Sequence, residues 1–492
     1  MDRRKFIKTV SAASANLPFL MNAESRNILA EKFGNARQRN IIFILSDDHR
    51  YDFMGFLDKP KFLETPNMDR MAREGAHVDN ATVTTSLCSP SRATILTGLY
   101  SHKHKVIDNG SPVPEGTKFI GEYLQRAGYE TAFIGKWHMG EAKDDPRAGF
   151  DHWVSFKGQG LYYNPDLNVD GQRIKSKGYV SDILTDYAIK WLKKKRNKPF
   201  FLFLSHKAVH AMFEPAQRHL GKYDKVELEY PANMANTEEN YKNKPRWVRE
   251  QRNSWHGVDY MYHGSMDFDT FYRRYCETIL GIDDSIGVIL NTLGELELDK
   301  STLLFYMSDN GFCFGEHGLI DKRHMYEPSM RVPLLVRCPE MIKPGIKIDK
   351  LVQNIDIAPT IFAAAGLKPL PNMDGKSLLP LLQGKDSDWR NEVYYEYYWE
   401  RDFPHTPTVF GVRTEKYKYM TYHGIWDIDE LYDLKNDPDE MYNLITKADM
   451  KDIIIELRNK VFTWLKNTNG MQIPLKHTGL RQFDKRNPDL VK

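Results

Sequence analysis

The sequence predicts an α/β fold with a large mixed, mostly parallel sheet flanked by helices. Short apolar runs recur along the chain, and each is followed by turn residues and then by a stretch with helical periodicity. Four of these runs are almost wholly apolar, as strands buried on both faces of a sheet are. Hydrophobic residues make up 41% of the 492 residues, so the chain can bury cores for two or three domains.

The four apolar runs all end in polar residues that can bind ligands or transfer protons. In an open α/β sheet, ligands bind outside the carboxyl ends of the strands, so we expect these four ends to converge on one site. The runs cover residues 40–45, 129–134, 199–204 and 302–307, and they lead into Ser46-Asp47-Asp48, Gly135-Lys136-Trp137-His138, Ser205-His206 and Ser308-Asp309-Asn310-Gly311.

The remaining segments differ in character from these runs. Residues 222–269 are charged, aromatic and Asn-rich, and we interpret them as an insertion that could shape a substrate cleft. Residues 393–422 alternate as antiparallel strands do, and a helix is predicted over about 448–466. The predicted division is an export signal at 1–23, a linker at 24–39, a catalytic domain at 40–385, and a C-terminal subdomain of antiparallel sheet plus helix at 386–492.

The first residues have the character of an export signal. Arg3, Arg4, Lys5 and Lys8 precede an uncharged run that is too short to span a bilayer, and the arginine pair resembles a twin-arginine signal. We therefore expect a periplasmic or extracellular protein with no stable membrane insertion. The 69 Lys and Arg residues nearly balance the 66 Asp and Glu residues, which indicates no nucleic-acid partner. The four cysteines fit neither a disulfide framework nor a zinc site.

The most specific motif is Cys88-Ser89-Pro90-Ser91-Arg92, continued by Leu96-Thr97-Gly98. Ser91 and the residues after it have the pattern of a helix start, which would place residue 88 near the positive end of a helix dipole. A buried cysteine before an ordinary helix fits the five residues equally well. The longer stretch resembles the Cys-x-Pro-x-Arg signature of the type I sulfatases, and the strand-end motifs and Asp321-Lys322-Arg323 follow in that family's order. The resemblance implies an alkaline-phosphatase-like fold and a sulfuric ester hydrolase.

The same resemblance implies a nucleophile and a metal. Cys88 would be converted to formylglycine by a formylglycine-generating or anaerobic sulfatase-maturating enzyme, and the hydrated aldehyde would attack sulfur. Asp47, Asp48, Asp309 and Asn310 offer only oxygen ligands, which suits Ca²⁺, although an Asp-Asp pair after a strand is often a helix cap. The resemblance makes these four residues, together with residue 88, the ligands of one calcium ion.

Basic residues complete the expected site. Arg92, Lys136 and Lys322 are suited to hold a tetrahedral oxyanion, and by resemblance they bind the formylglycine diol or the sulfate, although a single Lys is ordinarily a solvated surface residue. His138 would take the proton that lets the sulfated intermediate collapse. Histidine is the side chain best suited to such transfers near neutral pH.

A second histidine is expected at the leaving oxygen of the sugar, and the sequence offers two. We favour His210 and expect His206 to be structural or to support substrate binding. The histidine motif resembles those of bacterial sulfatases that act on polysaccharides, including glycosaminoglycans and algal glycans, so the implied partner is a sulfated carbohydrate. Other side chains could contact the sugar, although packing or surface exposure would equally explain them: Tyr162, Tyr163, Arg401, His405 and Arg413.

Two rival functions share these residues. A phosphate or phosphonate monoester hydrolase on the same sheet would face similar transition-state charges, and an unmodified cysteine would favour it. A sulfated-glycan-binding protein that has lost catalysis would require a broken set of ionisable residues, and here the set is complete. The Cys88 signature favours sulfate ester cleavage over both.

Overall fold

The computed structural model describes residues 38–140, 143–264, 266–385 and 388–474. The export signal at 1–23 and most of the linker at 24–39 lie outside the described residues. Each of the four apolar runs forms a strand, as predicted. The strands are β1 (Ile41–Ser46), β2 (Ala76–Val78), β3 (Ala81–Thr82), β4 (Glu130–Lys136), β5 (His152–Phe156), β6 (Asp166–Val169), β7 (Gln172–Lys175), β8 (Phe200–Ser205), β9 (Leu303–Ser308), β10 (Cys313–Phe314), β11 (Ile320–Asp321), β12 (Leu334–Arg337), β13 (Ile346–Ile348), β14 (Val352–Gln353), β15 (Glu392–Tyr397), β16 (Thr408–Thr414), β17 (Tyr417–His423) and β18 (Glu430–Asp433).

A ten-stranded mixed sheet forms the centre of the fold, in the order β13-β2-β12-β9-β1-β8-β4-β5-β6-β7. Its five central strands, from β9 to β5, are parallel to one another. Antiparallel pairing occurs towards the edges, where β12 pairs with β9 and β2, and where β6 pairs with β5 and β7. The structure therefore confirms the predicted mixed, mostly parallel sheet.

Helices cover both faces of this sheet. The α-helices are α1 (Pro66–Glu74), α2 (Cys88–Thr97), α3 (Ser101–His104), α4 (Ile120–Arg126), α5 (Val180–Leu192), α6 (Glu238–Tyr241), α7 (Arg246–Glu250), α8 (Phe268–Glu295), α9 (Glu327–Met330), α10 (Ile357–Ala364), α11 (Leu379–Leu382) and α12 (Lys451–Asn467). The 3₁₀ turns are Gly55–Leu57, Gln251–Asn253, Met261–Gly264, Glu316–Gly318, Asn354–Asp356 and Ala448–Met450.

Side-chain alternation along β1 shows how the two layers are built. Ile42 and Ile44 pack into one core with α1, α5 and α8, whereas Phe43 and Leu45 pack into a second core with α2, α4 and α10. Successive side chains of a strand point to opposite faces, so a strand covered on both sides must be apolar throughout. This is why the four runs are almost wholly apolar until they reach their carboxyl ends.

The C-terminal part contains an antiparallel sheet in the order β15-β16-β17-β18, with α12 packed against one face through Val461 and Trp464. The other face packs through Tyr395 and Tyr397 against Tyr326 and its neighbours near the main sheet. The predicted antiparallel sheet and helix are confirmed, while the division at residue 385 stays a prediction. None of the described helices is long and apolar enough to cross a membrane.

A buried charge cluster joins this sheet to the rest of the chain. Glu327, at the start of α9, accepts hydrogen bonds from Arg413 Nε (2.9 Å) and Nη2 (3.0 Å) and lies 2.7 Å from Lys418 Nζ. Burial raises the pKa of Glu327, but Arg413 and Lys418 outweigh burial and hold that pKa well below the usual range. Glu327 is therefore an ionised anchor between the two parts of the fold.

We expect Glu327→Gln to lower the free energy of unfolding by about 3 kcal/mol, because it leaves the cation of Arg413 buried without its carboxylate and leaves Lys418 with Glu440 as its carboxylate partner. Equilibrium urea unfolding measures the change. The control is Glu250→Gln, which breaks an exposed 2.7 Å pair with Arg246 and should cost less than about 1 kcal/mol. Equal effects of the two substitutions would show that the cluster does not anchor the subdomain.

Candidate active site

The carboxyl ends of β9, β1, β8 and β4 lie side by side at one edge of the sheet. The register pairs Ser46 with Ser308 and places Ser205 beside both Leu45 and Gly135. Gly135 has φ +121°, and a Cβ there would lie 1.7 Å from the Ser205 carbonyl oxygen, so only glycine permits this close approach. The polar residues that follow the four strands are therefore brought together, as the sequence predicted.

Helix α2 carries Cys88 in its first turn. The sequence pattern placed the helix start at Ser91, but the helix begins at Cys88, and its first hydrogen bond runs from Ser91 N to Leu87 O (3.0 Å). Pro90 is tolerated in this turn because its missing N–H would have had no partner within the helix. Residue 88 thus lies at the positive end of the helix dipole, where a developing negative charge is stabilised.

Cys88 is fully buried beside a carboxylate. Its Sγ lies 3.4 Å from Asp47 Oδ1. Burial, with the nearby charge of Asp47, raises the pKa of the thiol well above its ordinary value. An unmodified Cys88 is therefore a neutral thiol, and only a thiolate would be a strong nucleophile.

Three carboxylates and one carboxamide meet next to Cys88. Asp47, Asp48 and Asp309 each present an oxygen within 4.8 Å of the others. Asp48 Oδ2 and Asn310 Oδ1 are buried and have no hydrogen-bond partner among the described residues. Burial, with the negative charge of Asp47, raises the pKa of Asp48 to about 8, although Lys322 opposes the shift. A cation ligated by these oxygens would give the two unpartnered oxygens a partner and would stabilise the ionised form of Asp48. The donor set therefore fits a hard metal ion.

The guanidinium of Arg92 connects the helix to three strand ends. Its Nε donates to Asp309 Oδ2 (2.8 Å), and its Nη1 donates to Lys136 O and Ser205 Oγ (2.7 Å each). Its Nη2 lies 3.3 Å from Asp47 Oδ2. Arg92 therefore fixes α2 against the sheet edge.

Lys136 and Lys322 each contact one of the carboxylates next to Cys88, and both lysines are buried. Lys136 Nζ contacts Asp47 Oδ2 and Gln159 Oε1, and Lys322 Nζ contacts Asp48 Oδ1. Sequence reasoning missed Gln159. Its position in a Gly-flanked loop after β5, the neighbour of β4, is the signal that could have found it.

His138 lies in the left-handed region, with φ +55°, directly after β4. Its carbonyl accepts a hydrogen bond from Ser89 Oγ, and its Nδ1 lies 3.5 Å from the same oxygen. Burial, reinforced by the charge of Lys136, lowers the pKa of His138 well below the usual range. The ring is therefore neutral, and it lies against Ser89, the residue that follows Cys88.

The two histidines after β8 point in different directions. A ring nitrogen of His210 lies within 4.8 Å of Cys88 Sγ and of an Asp47 oxygen, and His210 Nε2 is 3.9 Å from Asp48 Oδ2. His206 instead faces α8, where its Nε2 is 3.1 Å from Ser285 Oγ, and burial lowers its pKa to about 4. The structure brings His210 to the site and leaves His206, predicted as a substrate-binding residue, in the core.

The residues suggested as sugar contacts separate into two groups. Arg413 is committed to Glu327, and Tyr162 is buried with its hydroxyl on His210 O (2.7 Å). Arg401 is exposed on the loop between β15 and β16, and His405, on the same loop, lines a small cleft that is open to solvent. The cleft is lined by Gln251, Ser254, Trp255, His256, Asp402, Phe403, Pro404, His405 and Thr406.

This cleft borders the segment that carries Lys322. Phe403 stacks on His256, with ring centroids 4.5 Å apart, and the Arg323 guanidinium lies 3.8 Å from the centroid of the Phe403 ring. His256 Nε2 is 3.0 Å from Asp321 Oδ2. The predicted insertion therefore forms one wall of a cleft beside the site.

Comparison with known proteins identifies the family. The sulfatase family model matches residues 39–367, more than half of the chain. The chain belongs to the sulfatase family. It is a hydrolase of sulfate esters, and a second model, described as N-sulphoglucosamine sulphohydrolase, C-terminal, matches residues 315–467 of this sulfatase.

Individual relatives cover most of the sulfatase chain. The N-acetylglucosamine-6-O-sulfatase of Bacteroides thetaiotaomicron is 35% identical over 84% of this chain and 84% of its own length. The human N-acetylglucosamine-6-sulfatase is 30% identical over 84% of this chain and 82% of its own length. A solved structure in complex with its substrate D-glucosamine-2-N,6-O-disulfate superposes with a TM-score of 0.83 at 33% identity, covering 89% of this chain and 99% of the other.

We expect His210→Asn and His206→Asn to have different effects, because only His210 lies at the site. His210→Asn should lower kcat for sulfate release by about 100-fold or more. His206→Asn should keep kcat and KM close to wild type but lower the free energy of unfolding by about 1 kcal/mol, through loss of the Ser285 hydrogen bond. Steady-state sulfate release and urea unfolding measure the two effects. A large loss of kcat in His206→Asn at unchanged stability would contradict this assignment.

Proposed function

We propose that this sulfatase hydrolyses a sulfate ester on a carbohydrate, with formylglycine at position 88 and one bound Ca²⁺. The observation that carries the proposal is the buried group at the strand ends. Cys88 lies at a helix N-terminus against Asp47, next to three cations and to two oxygens that have no hydrogen-bond partner among the described residues. The thiol of an unmodified Cys88 is buried and neutral, and a neutral thiol is a weak nucleophile, which supports a modified residue 88.

The relatives support a substrate class within this activity. Two of them are named for 6-sulfated N-acetylglucosamine, and the superposed structure holds a glucosamine that carries a 6-O-sulfate. We therefore propose a 6-O-sulfated glucosamine, in an oligosaccharide from a sulfated polysaccharide such as a glycosaminoglycan, as the substrate. An algal glycan carries the same kind of ester, and it is the alternative substrate.

The ligands of the proposed ion are Asp47, Asp48, Asp309, Asn310 and residue 88. A bound Ca²⁺ would neutralise the carboxylates and withdraw charge from a sulfate oxygen. The unpartnered oxygens of Asp48 and Asn310 support this assignment. They offer hard, oxygen-only donors, and the described neighbours leave them unsatisfied.

The chain's own residues supply the remaining chemistry. Formylglycine would contribute a hydrated aldehyde whose hydroxyl attacks sulfur. Lys136 and Lys322 would bind the sulfate oxygens, and Arg92 would hold the helix that carries residue 88. Burial lowers the pKa of His210 well below its usual range, and the negative charge of a bound sulfate would raise it again, so that His210, next to residue 88, would give a proton to the leaving sugar oxygen. The neutral ring of His138 would take a proton from the hydroxyl of residue 88.

Two further proposals concern the modification and the export of this enzyme. A formylglycine-generating or anaerobic sulfatase-maturating enzyme is the partner that would oxidise Cys88. Export to the periplasm or beyond, through the predicted signal at 1–23, would place the enzyme where polysaccharide fragments are degraded. The substrate-binding roles of Arg401 and His405 are likewise proposals, supported for His405 by its place in the cleft.

The first experiment measures the mass of the peptide that contains residue 88 and the sulfatase activity of the same sample. In protein made with a maturating enzyme, the tryptic peptide 74–92 should weigh about 18 Da less than its free-cysteine form. The same sample should release sulfate from N-acetylglucosamine 6-sulfate, and Cys88→Ala should not. Unmodified Cys88 with full sulfate release would refute the formylglycine mechanism.

Paired aryl sulfate and aryl phosphate esters separate the rival functions in the same sample. Faster turnover of the sulfate supports the proposal, whereas faster turnover of the phosphate favours a phosphate or phosphonate monoester hydrolase. Full modification with binding of sulfated glycans and no turnover of any ester would indicate a glycan-binding protein.

Calcium removal should stop sulfate release and lower the unfolding temperature, and added Ca²⁺ should restore both. We expect Asn310→Ala to weaken Ca²⁺ binding at least about tenfold in calorimetric titration, because it removes a neutral oxygen ligand. The control is Asn168→Ala, which removes a buried, hydrogen-bonded amide on β6 and should leave Ca²⁺ affinity unchanged. Tighter binding of Mg²⁺ than of Ca²⁺ would overturn the choice of ion.

A further inference from the structure

Lys207 lies on the same short segment as His210, immediately after β8. The segment is fixed to the end of β1, because Asp47 N donates to Ala208 O (2.9 Å) and Val209 N donates to Asp47 O (2.7 Å). His210 N donates to the Lys207 carbonyl (3.1 Å). Lys207 is therefore held at the same strand edge as the metal-ligand candidates, although the mechanism above does not use it.

The side chain of Lys207 is buried with an aromatic partner and no carboxylate. Only 5% of the residue is exposed, and its Nζ lies 4.5 Å from the centroid of the Tyr162 ring. Within the described ranges, no carboxylate oxygen lies within 4.0 Å of this Nζ. A cation–π contact offsets only part of the cost of burying an ammonium group, so the position favours an anion that is supplied from outside.

The other three cations of the site differ in this respect. Arg92 is paired with Asp309, Lys136 with Asp47, and Lys322 with Asp48. Each of these shares its charge with a carboxylate of the proposed metal site. Of these four cations, Lys207 is the one with no described carboxylate oxygen within 4.0 Å of its charged group.

The electrostatic surroundings of Lys207 are those of the active site. Burial lowers its pKa to about 8, and Lys136 acts in the same direction, whereas Asp47 acts in the opposite one. Tyr162 connects Lys207 to the proton donor, because its hydroxyl holds the His210 carbonyl (2.7 Å) while its ring faces the ammonium group. One aromatic side chain thus sets the positions of both groups.

We propose that Lys207 is an anion-binding residue of the active site that donates a hydrogen bond to an anionic oxygen of the substrate. That oxygen belongs either to the sulfate or to the carboxylate of a uronic acid next to the sulfated sugar. The proposal rests on the proposed carbohydrate sulfatase function. It adds a third cation to the proposed substrate contacts, beside Lys136 and Lys322, and makes Tyr162 a positioning residue.

The test compares Lys207→Met, Lys207→Arg and a matched control in the calcium-loaded, modified enzyme. The control is Lys222→Met, because Lys222 also faces a tyrosine ring, at 5.5 Å from Tyr223, but is exposed and paired with Glu64. The substrates are N-acetylglucosamine 6-sulfate and a disaccharide in which this sugar is linked to a uronic acid. Calorimetric titration with inorganic sulfate and with glucuronate measures anion binding without turnover.

Lys207→Met should raise KM at least about tenfold with a smaller change in kcat, because a charge-assisted hydrogen bond to the bound substrate is lost. Lys207→Arg should recover part of the loss, and Lys222→Met should behave as wild type. Weaker inorganic sulfate binding, with a raised KM on both substrates, assigns the contact to sulfate. Weaker glucuronate binding, with a raised KM on the disaccharide alone, assigns it to the carboxylate.

Unchanged KM values and anion affinities in Lys207→Met, with or without a lower unfolding temperature, would overturn the proposal and leave Lys207 a structural residue. Failure of the proposed function is a separate result. In that case the modified wild-type enzyme releases no sulfate from either sugar, while the sulfate and glucuronate titrations still measure what Lys207 binds.

Discussion

The geometry of the active site depends on the hydrogen bonds of the buried Arg92 guanidinium. This guanidinium joins α2 to Asp309 on one strand end, to the Lys136 carbonyl on another, and to Ser205 on a third. Parallel strands bring their carboxyl ends to one edge, but they do not fix where a crossing helix begins. Through Arg92, four residues after Cys88, the first turn of α2 is held at that edge. The position of residue 88 is therefore determined by a polar network as well as by apolar packing.

The charges at this edge are nearly balanced, and they are not fully satisfied. Three carboxylates face three cations, yet Asp48 and Asn310 each keep a buried oxygen without a partner among the described residues. Burial of unpaired polar atoms destabilises a fold, so natural proteins retain them where a ligand completes the set. This is the pattern expected of a site that a bound ligand, such as the proposed Ca²⁺, completes.

The sequence predicted the strands and their polar ends because both follow from simple periodicity. A strand covered on both faces is apolar throughout, and the first polar residues after it mark the sheet edge. The directions of side chains in the irregular segments beyond were not predictable in this way. His206 turns towards α8 while His210 faces residue 88, and no sequence periodicity predicts this difference in direction. Lys207 and Gln159 were missed because their partners, Tyr162 and Lys136, are distant in sequence and adjacent only in the folded chain.

Complete burial of Cys88 sets an order of events in the life of the chain. A side chain with no solvent contact cannot enter the active site of another enzyme, so the proposed oxidation would have to precede the docking of α2. Maturation and folding would then be competing processes, and the fraction of active enzyme would depend on their relative rates. Molecules that fold first would be stable, compact and permanently inactive. Slower folding, usually a disadvantage, would increase the yield of competent enzyme.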